Sequence, residues 1–297
     1  MKIPANGSTA SAATALADVR VVSIAVNLPG PACARRLAEF GATVIKVEPP
    51  EEAGGDPMRQ YARAYYDELH RGIDVRVLNL KTDIGRAGLH SLLAEADVLL
   101  TSQRVPALDR LGLSWDVLAE RFGRLSHIAI IGSHGSDDAG HDLTYVAAAG
   151  LATPPRLPAT LLADLGGAER AVTATFAALK LAQRDGRGQR IVVSLEEAAD
   201  AFAGPHRYGL TQPGGLLAGS YPGYNFYRAA DGWIALAALE PHFAARVQAA
   251  SGVGFSCDAL AAYFHANDMQ HWTRWASEHD IPLAAITSPP SFNSSGS

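Results

Sequence analysis

The sequence predicts an α/β protein, with a large domain on an open, mainly parallel sheet and a second, smaller domain after it. Three observations carry this. Short β-branched runs alternate with stretches of helical spacing up to about residue 204, which is the pattern of strand–helix–strand units. Near residue 205 the texture changes to glycine and aromatic residues. Finally, 297 residues at 48% apolar content suffice for more than one core.

Residues 19–26 (VRVVSIAV) are short, apolar and β-branched, so they read as a buried strand. NLPGP (27–31) breaks the run, ACARRLAEFG (32–41) has helical spacing with Gly41 as its stop, and TVIKVE (43–48) is the next strand. A strand–turn–helix–strand unit of this kind implies parallel pairing through a right-handed crossover. The pattern repeats with a strand at 75–80, a helix at 82–96 capped by Thr82 or Asp83, and a strand at 97–102. A helix near 114–122 and a strand at 126–132 follow. A helix at 167–186, a strand at 189–195 and a short helix at 196–204 complete the large domain. Beyond the boundary, Ala230-Asp231-Gly232 between apolar runs reads as a hairpin. The tail SPPSFNSSGS reads as disordered or cut short.

Composition removes several classes of function. The formal charge is −5 and no stretch clusters Lys and Arg, so a nucleic-acid partner is not expected. The two cysteines, Cys33 and Cys257, lie far apart, which predicts neither a metal site nor a disulfide and suits a reducing cytosol. The start has no continuous apolar core of a signal peptide, and no run approaches the ~18 residues of a membrane span. A cytoplasmic location is expected.

Candidate functional residues cluster where strands end. Gly30, between two prolines, makes a rigid turn after the first strand, where open α/β sheets bind ligands; it is either a ligand contact or a plain turn. Arg104 and Arg110 follow another strand end and suit phosphate groups, or else are solvated helix positions. His141 follows a Gly/Ser/Asp loop, and an unperturbed imidazole exchanges protons near neutrality. Asp142 is the expected cap of the helix after it. A structural loop histidine is the alternative, with His134 as a competitor. Asp164 lies at or before a helix N-terminus, so it is a capping residue or a carboxylate that substrate approaches past Gly166 and Gly167. Glu240 closes an apolar strand.

Taken in order, GPACARRLAEFGATVIKVEPP, LNLKTDIGR, ADVLLTSQRVPALDRLGL, GHDLTY, LLADLGGAERAV and GRGQRIVVSLEEAA resemble the family III CoA-transferases. This is the carnitine dehydratase/bile-acid-inducible family, which includes the α-methylacyl-CoA racemases. The resemblance implies a Rossmann-like large domain (1–205), a smaller α+β domain (206–297) and an interlocked homodimer. It implies coenzyme A as acyl-CoA substrate, no metal, and a carboxylic acid acceptor if the chemistry is transfer. Asp164 falls on the family's catalytic aspartate, His141 on the histidine of the racemases' GHD motif, and Glu240 on a glutamate that assists the pair. Asn27 and Gly30, with Arg104 and Arg110, fall on coenzyme A contacts. The histidine favours racemase-like proton abstraction at the α-carbon; acyl transfer through an aspartyl anhydride is the alternative, and a truncated, non-catalytic CoA-binding relative is a third. Four departures accompany the resemblance, the first being Pro49 after Glu48, where some of the transferases place a CoA-binding arginine. LHRGIDV replaces the family's NRNKRS, the His141–Asp164 stretch is shorter than in racemases, and the family's C-terminal return segment is missing.

Overall fold

The computed structural model describes residues 12–135 and 139–287. It contains two compact units, dividing between Ala203 and Gly204.

The first unit starts with β1 (Arg20–Ser23), α1 (Pro29–Glu39), β2 (Thr43–Glu48), α2 (Met58–Tyr61), α3 (Arg63–Leu69) and β3 (Asp74–Val77). It continues with α4 (Asp83–Leu93), β4 (Val98–Thr101), α5 (Val105–Arg110), α6 (Trp115–Arg121) and β5 (Ser126–Ile131), then α7 (Asp142–Ala148), α8 (Leu162–Asp185), β6 (Arg190–Ser194) and α9 (Leu195–Phe202). The sheet runs β3-β2-β1-β4-β5-β6 with every pairing parallel. This is the doubly wound order, and its direction reverses between β1 and β4. Alternate residues of β1 enter different cores. Val21 packs with Leu37 of α1 and Ala171 of α8, while Val22 packs with Leu89 of α4 and Leu118 of α6. Both faces of the sheet are therefore covered, which accounts for strands that read as continuous apolar runs.

Several boundaries differ from expectation. β1 is shorter than 19–26, and α1 starts at Pro29 rather than residue 32. Proline suits the first helical position, where its missing N–H costs nothing, so only Asn27 and Leu28 remain as the turn. Gly30 thus sits inside the helix. A Cβ there would lie 2.2 Å from the Ala25 Cβ, so this glycine lets α1 approach the segment after β1. Thr82 caps α4, accepting from the Gly85 N–H at 3.1 Å. α2, α3 and α5 have no counterpart in the expected elements. α8 begins five residues earlier than expected, which places Asp164 inside its first turn.

The second unit comprises α10 (Gly204–Arg207), β7 (Tyr224–Arg228), β8 (Trp233–Ala237), α11 (Pro241–Ser251), α12 (Cys257–His265), α13 (Met269–Glu278) and β9 (Leu283–Ala285). Its sheet, β7-β8-β9, is antiparallel, and the expected hairpin turn joins β7 to β8. Phe264, Trp272 and Trp275 fill its own core, with the Trp272 Nε1–H donating to the Phe264 carbonyl at 2.7 Å. The residues of the SPPSFNSSGS tail lie outside the described residues. Among the described residues, no helix is long and apolar enough to cross a membrane.

Candidate active site

The carboxyl ends of β1, β4, β5 and β6 open onto one cavity of about 730 Å³. Asn27 and Pro29 line it after β1, Ser102 and Arg104 after β4, Gly132 and Ser133 after β5, and Leu195 after β6. The cavity lies where the strand order reverses, so neighbouring loops diverge and leave a crevice. Two side chains hold its mouth beyond the ladder. Ser102 Oγ accepts from the Val26 N–H at 3.0 Å, and the Gln103 side-chain amide donates to the Ile24 carbonyl at 2.6 Å.

His141 and Asp164 both line this cavity. His141 is the N-cap residue of α7, so the expected cap, Asp142, is displaced by one position. The Thr144 hydroxyl fixes the His141 backbone, accepting from its N–H at 3.1 Å and donating to its carbonyl at 2.7 Å. Asp142 instead reaches across to the next helix, where Oδ1 accepts the Asp164 backbone N–H at 3.0 Å. That N–H is one of the first-turn donors of α8 that have no partner within the helix, and the N-cap Leu161 offers no side-chain acceptor. One buried carboxylate thereby ties the segment carrying His141 to the helix carrying Asp164.

Burial pushes the Asp164 carboxyl up to about 6; the nearby Asp142 charge adds to this and His141 opposes it. The Tyr145 phenol also lines the cavity. Burial, then the Asp164 and Glu196 charges, raise its pKa against the pull of Arg104, so it stays a hydrogen-bond donor at neutral pH. Sequence reasoning missed Tyr145; its place one helical turn after His141 was the available signal.

Other expected site residues fall elsewhere. Gly30 is buried and is absent from the cavity wall, and Arg110 is exposed on α5 away from it. His134 is exposed, with Nε2 3.6 Å from Glu197. Gly166 and Gly167 offer no approach to substrate. Cβ atoms there would meet Phe202 at 2.3 Å and Leu195 at 2.2 Å, so the pair serves the packing of α8 against α9. Glu240 belongs to the second unit, at the N-cap of α11 rather than at a strand end. Among the described residues, Glu48, Asp56 and His70 bring metal-type ligand atoms together. Their carboxylates already face the buried Lys46 ammonium, at 3.4 Å from Glu48 and 2.7 Å from Asp56.

The chain matches the family model "CoA-transferase family III" over residues 16–295. It is similar to an α-methylacyl-CoA racemase of Mus musculus, at 33% identity over 85% of this chain and 68% of that protein. It is also similar to an (R)-2-hydroxy-4-methylpentanoate CoA-transferase of Clostridioides difficile, at 31% identity over 76% of this chain and 63% of the other. Among solved structures, a CAIB/BAIF family protein from Brucella suis shares the fold with a TM-score of 0.77 and 22% identity, over 91% of this chain and 83% of that one.

Proposed function

The chain belongs to CoA-transferase family III, a family of racemases and CoA-transferases, and from that premise we propose that it inverts the α-carbon of an acyl-CoA thioester with His141 and Asp164 as its acid–base pair. The carrying observation is that both side chains line one cavity and that Asp164 titrates at about 6. A carboxyl at that value is populated in both protonation forms near neutrality, as a group that alternately gives and takes a proton must be. One member removes the α-proton while the C–H electron pair moves into the thioester carbonyl. The other, already protonated, returns a proton on the opposite face, and the pair ends with its single proton on the other side chain. Tyr145 and Arg104, which line the same cavity, are candidate donors for the enolate oxygen. Coenzyme A would enter along Asn27 and Arg104. Glu240 is carried over from the racemase motif as a further candidate acid–base residue.

In deuterated water, a 2-methylacyl-CoA should exchange its α-hydrogen. His141→Ala should slow this about 10²-fold or more, the usual contribution of a general acid–base group. Glu240→Gln should slow it by less. Exchange no faster than in buffer would end the reading.

A second reading has support from the transferase relatives. The Asp164 carboxylate attacks the thioester carbonyl and the coenzyme A thiolate leaves, giving an aspartyl anhydride; the thiolate then attacks the Asp164 carbonyl and releases the donor acid. The acceptor carboxylate displaces the thiolate from that aspartyl thioester, forming a second anhydride, and the thiolate takes up the acceptor's acyl group and frees Asp164. The two readings differ in pH profile. A shared-proton pair gives a bell for both enantiomers, because the form with both groups protonated and the form with neither are inactive. A lone nucleophile gives a single limb, falling as pH drops through about 6. Borohydride or hydroxylamine trapping at Asp164 would mark the second.

A further inference from the structure

We propose that Asp56, backed by Lys46, is a positioning residue that sets the backbone wall of the cavity after β1. Its carboxylate is 1% exposed and reaches the cavity only through what it holds. Oδ1 accepts the backbone N–H of Asn27 at 3.2 Å and that of Met58 at 3.0 Å, while Oδ2 accepts from Lys46 Nζ at 2.7 Å. Asn27 and Met58 both line the cavity, so one side chain clamps two wall segments that are 31 residues apart in the chain.

The Asn27 backbone needs such a clamp. Its φ of +64° lies in the left-handed region, which a residue with a Cβ adopts at a cost in energy and keeps only where its surroundings hold it. Pro29 opens α1 immediately afterwards, so an error at Asn27 would redirect the whole wall of Leu28 and Pro29. Global stability accounts poorly for the Lys46–Asp56 pair. Burying two charges costs about what their attraction returns, and an apolar pair of the same size would serve the core as well. A buried carboxylate with three directed donors does something apolar packing does not: it selects one backbone conformation. Lys46 neutralises it from β2, and its Glu48 contact at 3.4 Å anchors the ammonium from the other side.

The geometry stands by itself; the expectation about ligand rests on the acyl-CoA reading above. The ligand-free measurement is amide hydrogen exchange over residues 24–28. Asp56→Ala removes the acceptor and leaves Lys46 with Glu48 alone, so Lys46→Met/Asp56→Ala, which removes both charges together, is made alongside it. Both variants should exchange faster than wild type in this segment, while β4 and β5 stay protected. Unchanged exchange at Asn27 in a folded variant would overturn the proposal. With coenzyme A as probe, the doubly neutral variant should bind about tenfold more weakly, with KM rising more than kcat falls. Adding Asn27→Gly, which relieves the left-handed strain, should restore part of that affinity; a merely structural role for Asp56 would not respond to a change at residue 27. Wild-type binding retained in the doubly neutral variant would also overturn it. Wild type that binds no coenzyme A would instead sink the acyl-CoA reading, and leave the exchange measurement to decide on Asp56.

Discussion

At the scale of single residues, the role proposed for Asp164 sets function against stability. Its folded pKa is about 6 against an ordinary 3.8, so the folded state holds the proton more tightly than the unfolded chain between those values. Stability therefore falls as pH rises through that window, and the full penalty is present above about 6. Asp164→Asn should abolish catalysis yet raise the unfolding free energy at pH 7.5 by about 2 kcal/mol, with little change at pH 3.5. Thermal melts of both proteins at the two pH values check this; an equal effect at both would mean that burial of charge is not the cause. Motif order singled out His141 and Asp164, and both line the cavity. Gly30 and Arg110 do not line it. Their types and their nearness to strand ends suited a ligand, but a helix starting at Pro29 turned Gly30 inward and α5 carried Arg110 to solvent.

At the scale of elements, the joint between α7 and α8 decides whether the pair is a pair. Asp142 was expected to cap its own helix; it satisfies the first turn of the next one instead, because Leu161 has no side chain to do so. No local pattern announces a contact across 22 residues between two helix starts. The order of the strands, by contrast, was readable, since each buried strand needed its apolar run. The short helices α2 and α3 escaped because their stretch carries no clear period. Asp142→Asn keeps an acceptor for the Asp164 N–H but removes a charge that raises the Asp164 pKa. The acid limb of activity should then move to lower pH with little loss of stability, whereas Asp142→Ala should also cost about 1 kcal/mol, the usual worth of a helix cap. Titrating kcat/KM against pH in both variants separates the two effects, and an unmoved limb in Asp142→Asn would show that the Asp142 charge does not reach Asp164.

At the scale of the whole molecule, each unit carries a core of its own, yet the surface keeps large apolar side chains in solvent. Tyr208 is 88% exposed and Phe226 64%, with Phe202, Leu216 and Trp233 each near half. Single exposed apolar residues are ordinary, whereas exposed aromatics that share a contiguous patch mark an interaction surface. The family resemblance supplies an occupant, a second copy of the chain, and a dimer is accordingly proposed. Sedimentation equilibrium should then give twice the 31.2 kDa chain mass, and the melting temperature should rise with protein concentration, because association stabilises only the folded state. Tyr208→Ser with Phe226→Ser should shift the equilibrium toward single chains while leaving the parallel sheet and its cavity folded, since neither residue belongs to the first unit. If the protein instead sediments as one chain at every concentration, the exposed aromatics need another partner.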